Sequence, residues 1–140
     1  MKIRKIELSD FDDLYELWKE AGLDMAEIER EKREFEMMIE LNPTSSIVLE
    51  QKARVIGSAL GIFNGRRGMI YHLALEPKWQ GKGYGSLLLK EVEKRLQQRG
   101  ATKFNLFVSL ENLKIFPFYE KHGYSVMSDS IVLAKDLWKK

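Results

Sequence analysis

The sequence predicts a single α/β domain of the mixed α+β kind, on three observations. Strand-like alternations and amphipathic helical stretches interleave as β-α-α-β-β-β-α-β-α-β(β), six to seven strands and about four helices over residues 1–140. A glycine-rich stretch, QGKGYGS at 80–86, separates a strand from a helix. No repeat, linker or low-complexity segment divides the chain.

Each element has its own warrant. Ile3, Ile6 and Leu8 alternate with charged residues and predict a strand over 2–8. Ser9 with Asp12 is a variant capping box, and Phe11, Leu14, Tyr15 and Trp18 share the face of the helix that follows. A second helix is expected over 25–41, where EIEREKREFEMMIE is mostly solvated charge and Ile28, Phe35, Met38 and Ile39 face the protein. Asn42-Pro43 ends it. Strands at 46–51 and 55–63 flank a turn at Lys52-Ala53-Arg54, and NGRRG (64–68) is a hairpin turn into a strand over 69–76. Leu87, Leu88, Val92 and Leu96 mark a helix ending at Gly100. A strand at 103–109, a short helix at 113–122 and one or two strands within 124–137 complete the order.

Composition narrows the function classes. Hydrophobic residues at 44% and charged ones at 31% fit a globular chain. No apolar run approaches the roughly 20 residues of a membrane helix, and MKIRKIELSD lacks the apolar block of a signal peptide. With no cysteine, disulfides, thiolate metal sites and a Cys nucleophile are excluded, and a cytoplasmic location is expected. A net charge of +2 does not argue for nucleic acid. His72 and His122 have no metal-ligand spacing, so no metal is expected.

Gly81, Gly83 and Gly85 are more glycines than a plain helix cap needs. At a strand–helix junction they let backbone N–H groups reach phosphate oxygens, where the helix dipole is positive and Lys82 adds a charge. The spacing fits neither a Walker A loop nor a dinucleotide fingerprint.

Read as Q-x-x-G-x-G from Gln80 to Gly85 after LALEP, the stretch resembles the GNAT superfamily of acyl-CoA-dependent N-acyltransferases. NLKIFPFYEKHGY (112–124) is similar to that family's second signature: Asn112, Phe118, Tyr119, Gly123 and Tyr124 fall in register, with Ile115 in place of Ala. Pro117 is expected to loosen or kink that helix near its start. The resemblance implies that Gln80, Gly81, Lys82, Gly83, Tyr84, Gly85 and Ser86 hold the coenzyme A pyrophosphate of the cosubstrate acetyl-CoA. Leu73, Ala74 and Leu75 would take the pantetheine arm and acetyl group by backbone contacts, on a bulged strand that splays from the next one. The Leu75 N–H would serve the oxyanion, Asn112 the pantetheine amide, and Tyr119 would contact the cosubstrate and protonate the leaving thiolate. The resemblance further implies a carboxylate or histidine base on the strands around the glycine loop. Met69 and Phe107 stand where some members carry glutamate, so the base is left unassigned. Adjacent strand residues face opposite ways, so without a bulge only one of Tyr71 and His72 lines the slot. Tyr71, on the face of Met69 and Leu73, is the expected substrate or water-relay contact, and Glu111 is another candidate.

The expected reaction is acetyl transfer from acetyl-CoA to a primary amine of a small molecule or protein, by direct attack through a tetrahedral intermediate. LFVSLEN differs from the L-E-V-R-x-x-N of ribosomal-protein N-terminal acetyltransferases, which lowers a peptide N-terminus as acceptor. Trp18, Met25, Phe35 and Met38 are read as core before acceptor pocket. The alternative is a non-catalytic acyl-CoA-binding or sensing module. A homodimer is expected, with no nucleic acid or membrane partner.

Overall fold

The computed structural model describes residues 1–138 and forms two compact units, Met1–Phe107 and Val108–Lys140. In the first, β1 (Lys2–Lys5), β2 (Ile47–Gln51), β3 (Arg54–Phe63), β4 (Gly68–Leu75) and β5 (Phe104–Leu106) make one sheet in the order β1-β2-β3-β4-β5. All neighbours are antiparallel except β4 and β5, which run parallel, so the sheet is mixed as expected.

Helices cover both faces. Leu60 and Ala74 turn towards α1 (Phe11–Glu20) and α2 (Ile28–Leu41), in a core with the fully or nearly fully buried Leu14, Trp18 and Phe35. Burying each such large side chain contributes about 1.5–3 kcal/mol. Strand alternation sends Gly57, Gly61 and Leu75 to the other face, against α3 (Tyr84–Arg99). A Cβ on Gly61 would fall 2.6 Å from Val92 and 2.7 Å from the Ser45 carbonyl oxygen, so that position admits the helix only as glycine. Gly100, at φ +116°, ends α3.

Several elements differ locally from expectation. β1 stops at Lys5, and a 3-10 turn over Leu8–Asp10 precedes α1. The capping box is Glu7 with Asp10, not Ser9 with Asp12, because Arg4 holds the Asp10 carboxylate where it accepts the Glu7 N–H. Ile28 is 44% exposed, and its expected inward place on α2 belongs to Glu31, which is buried with Phe35 and Ile39.

In the second unit a 3-10 turn (Leu110–Ile115) leads into α4 (Phe116–Glu120). Pro117 sits in the first turn of α4, where its missing N–H is harmless, so it starts the helix. The described residues from 124 onward contain no strand, and the sheet has five strands where six to seven were expected. Ile131 and Leu133 are 84% and 86% exposed, so the apolar alternation there has no ladder.

Candidate active site

The defining local feature of the first unit is a bulge in β4. Tyr71 opposes Leu60 and Ala74 opposes Ser58, which leaves His72 and Leu73 opposite Ala59 alone. His72 takes φ +50°, a left-handed conformation that L-residues adopt at a cost of order 1–3 kcal/mol. Its carbonyl accepts the Ser58 hydroxyl at 2.8 Å, and Ser58 Oγ accepts the Trp18 Nε1–H at 2.9 Å.

Beyond the bulge no strand among the described residues pairs with the outer edge of β4. β5 pairs only with Gly68, Met69 and Ile70. The Glu76 N–H donates to the Ile56 carbonyl at 2.9 Å. By antiparallel alternation the Leu75 N–H and C=O therefore point away from β3, to the edge β5 does not reach. Gln80 Nε2 donates to that Leu75 carbonyl at 3.0 Å, tying the glycine loop to the strand end. Leu73 is half-buried, while Ala74 and Leu75 are buried.

The loop then opens α3. A 3-10 turn over Pro77–Trp79 is followed by Gly81 at φ +75° and Gly83 at φ +90°. Gly83 is the N-cap and no side chain caps the helix there. Gly85 lies inside the first turn, outside the positive-φ set. Tyr84 packs edge-on to Trp79, with ring centroids 5.9 Å apart. Lys82 Nζ lies 5.4 Å from the Trp79 ring centroid, a cation–π contact that keeps its charge at the loop. Two left-handed glycines, an uncapped helix start and a lysine fit the diphosphate end of a nucleotide-like cosubstrate.

The bulge also assembles a group that sequence reading missed. The His72 ring stands edge-on to Trp18, centroids 4.4 Å apart, with Nε2 3.5 Å from Glu31 Oε2. The other Glu31 oxygen accepts the Ala26 N–H at 2.9 Å. Burial pushes the Glu31 carboxyl up, but the hydrogen bonds from His72 and Ala26 and the charges of His72 and Arg30 outweigh it, leaving it below the usual range. Glu31 stands four residues before Phe35 and eight before Ile39, a carboxylate on the apolar stripe of α2. That spacing was the available clue.

Tyr71 packs on Phe107, ring centroids 6.4 Å apart. Burial, and secondarily the charge of Glu34, raises its phenol above its ordinary value. The expectation that Tyr71 shares a face with Leu73 does not survive the bulge, which breaks the alternation between them.

Within the second unit Asn112 is extended in φ (−131°, ψ 47°), and its N–H donates to the Ser109 carbonyl at 2.9 Å. Glu111 is exposed, its N–H donating to Ser109 Oγ at 3.2 Å. Tyr119 sits among Phe118 and Tyr124, with ring centroids at 5.1 and 5.8 Å. Burial pushes its phenol up to about 12, so it is neutral and able to donate a proton throughout the neutral range.

A bulged strand running through a glycine loop into an uncapped helix defines a mixed α+β protein whose strand–helix junction suits an extended anionic ligand. Residues 11–124 match the Acetyltransferase (GNAT) family. Acetyltransferase YE1169 of Yersinia enterocolitica is 31% identical over 137 residues, 98% of this chain and 96% of its own. Ard1 from Thermoplasma volcanium has a similar fold, with a TM-score of 0.80 at 18% identity over 91% of this chain and 84% of that one. The PaiA N-acetyltransferase from Thermoplasma acidophilum, solved in complex with coenzyme A, has a TM-score of 0.74 at 25% identity, covering 92% of both chains. The chain belongs to the GNAT family of acetyltransferases and is an acyl-CoA-dependent N-acetyltransferase.

Proposed function

We propose that the protein transfers an acetyl group from acetyl-CoA to a primary amine by direct attack. The observation that carries this reading is the Leu75 N–H, turned by alternation to the open edge of β4 and tied through Gln80 to the glycine loop. The loop amides from Gly81 to Ser86, with Lys82, hold the diphosphate, and Leu73, Ala74 and Leu75 hold the pantetheine arm in the manner of an added strand. The Leu75 N–H meets the oxygen that becomes anionic when the amine attacks the thioester carbonyl. One such donor contributes on the order of 10²–10³ in rate. Asn112 binds the pantetheine amide, and neutral Tyr119 gives its proton to the departing thiolate.

The same reading carries a homodimeric, cytoplasmic protein acting on a small-molecule or protein amine. The test is release of free thiol from acetyl-CoA over a panel of primary amines, beside calorimetry with desulfo-CoA. Binding together with amine-dependent thiol release is the expected result. Binding with no release across the panel makes the protein a sensing module, and no heat at all removes the cradle.

A further inference from the structure

The acetyl-transfer reading leaves one step without a residue. A lysine-like acceptor, with a pKa of ~10.4, arrives as an ammonium ion and has no lone pair to attack with. We infer that His72, charge-compensated by Glu31, takes the proton the acceptor must shed. This inference rests on the acetyl-transfer reading.

Three independent features converge on His72. It holds a left-handed backbone conformation that a glycine would occupy without cost, yet it is a histidine. Its carbonyl is fastened by Ser58, so the bulge holds the ring in place next to Leu73 on the open-edged segment. Its Nε2 faces a carboxylate that α2 carries on its buried face, while its own side chain keeps 19% of its surface exposed. A carboxylate in that place is costly unless it is partnered, and the Ala26 N–H satisfies only one of its oxygens. With Nε2–H towards Glu31, the neutral ring carries its lone pair on Nδ1.

The proton balance is complete. The ammonium N–H bond breaks as an N–H bond forms at Nδ1, and the freed lone pair attacks the thioester carbon. After the C–S bond breaks, the new amide nitrogen loses a second proton and the thiolate gains one. The ammonium ion and acetyl-CoA thus give an amide, free thiol and one proton, which leaves through His72. Glu31 stabilises the imidazolium in the interim. Of the elements against His72, α2 supplies Glu31, with Arg30 acting on Glu31 and Glu34 on the adjacent Tyr71. The neighbours from α1 and β3 are Trp18 and Ser58, neither of which titrates. Tyr71 is unsuited to the same task, because burial keeps its phenol protonated.

The experiment compares wild type, His72→Asn and Glu31→Gln in thiol release from acetyl-CoA against pH, with desulfo-CoA calorimetry on each. Asparagine tolerates the left-handed conformation, so the bulge is retained. His72→Asn is expected to lower turnover by on the order of 10²-fold or more, with desulfo-CoA affinity unchanged and partial rescue by added imidazole. Glu31→Gln is expected to lower kcat by on the order of tenfold with desulfo-CoA affinity unchanged, and Glu31→Asp to recover part of that loss. His72→Asn turning over like wild type overturns the assignment alone. If that variant does not fold, the Glu31→Gln turnover decides, and a kcat equal to wild type overturns it. Wild-type protein that releases no thiol with any amine overturns the acetyl-transfer reading and this inference together.

Discussion

Ser58 donates its hydroxyl to the main-chain carbonyl of His72 at 2.8 Å. The same oxygen accepts from Trp18 Nε1 at 2.9 Å, so one buried serine on β3 links the core of α1 to the bulge of β4. The strained backbone at His72 is held from outside its own strand.

Ser58→Ala leaves the buried Trp18 N–H without its partner. Such an orphaned donor costs about 1–3 kcal/mol, and that loss is expected in urea unfolding at neutral pH. Replacing Trp18 by Phe in the Ser58→Ala background is expected to cost less than the same change in wild type. A strictly additive double-mutant cycle contradicts the linkage.

Gly83 and Gly85 are expected to respond oppositely to alanine. Gly83 stands at φ +90°, where a Cβ costs roughly 1–2 kcal/mol, so Gly83→Ala shifts the loop and weakens desulfo-CoA binding about tenfold. Gly85 lies within the first turn of α3, where alanine raises helix stability by roughly 0.5–1 kcal/mol. Thermal melts and calorimetry on the pair separate the two effects. Equal losses from both variants count against the left-handed cradle.

Tyr119→Phe has a catalytic and a pH signature. Thiol release is expected to fall by ~10²–10⁴ with unchanged desulfo-CoA affinity. Burial raises the phenol from 10.0 to about 12, so its contribution is complete below pH 10 and is lost as pH rises through 12. At most about 2–3 kcal/mol is involved. Alkaline unfolding curves of the variant are therefore expected to be flatter than wild type between those values, and coincident curves refute the burial.

Arg4 carries the acid counterpart. Its Nη1 and Nη2 grip both oxygens of Asp10 at 2.9 Å, and its Nε reaches Glu50 at 2.9 Å. Burial pushes the Asp10 carboxyl up, but the Arg4 hydrogen bonds, the Glu7 N–H and the Arg4 charge bring it below 3.8. A depressed carboxyl stabilises above its unfolded value and loses that contribution as pH falls through the folded one. Arg4→Leu is expected to cost about 3 kcal/mol at pH 7, a gap that narrows below pH 3.8. A gap independent of pH rules the ion pair out as its source.

Much of this was legible along the chain. The order of elements, the glycine loop at the strand–helix junction and the register of Asn112 with Tyr119 depend on local spacing, which a sequence displays directly. Pro117 falls in the first turn of α4, so the α-helix begins only there and the turn before it is 3-10. The described residues after 124 form no strand because apolar alternation makes one only where a neighbouring edge completes its hydrogen bonds.

The sequence by itself determined the class of fold, the family and the glycine loop between strand and helix, because each follows from residues within a few positions of one another. Tertiary structure alone decided that the bulge of β4 falls at His72, and that Glu31 belongs to the inner face of α2, 3.5 Å from that histidine. Those facts turn on residues 14 and 41 positions apart, Ser58 with His72 and Glu31 with His72. Backbone alternation and helical periodicity are local, but which neighbour supplies the missing hydrogen bond or charge is fixed only when the sheet and helices close on one another.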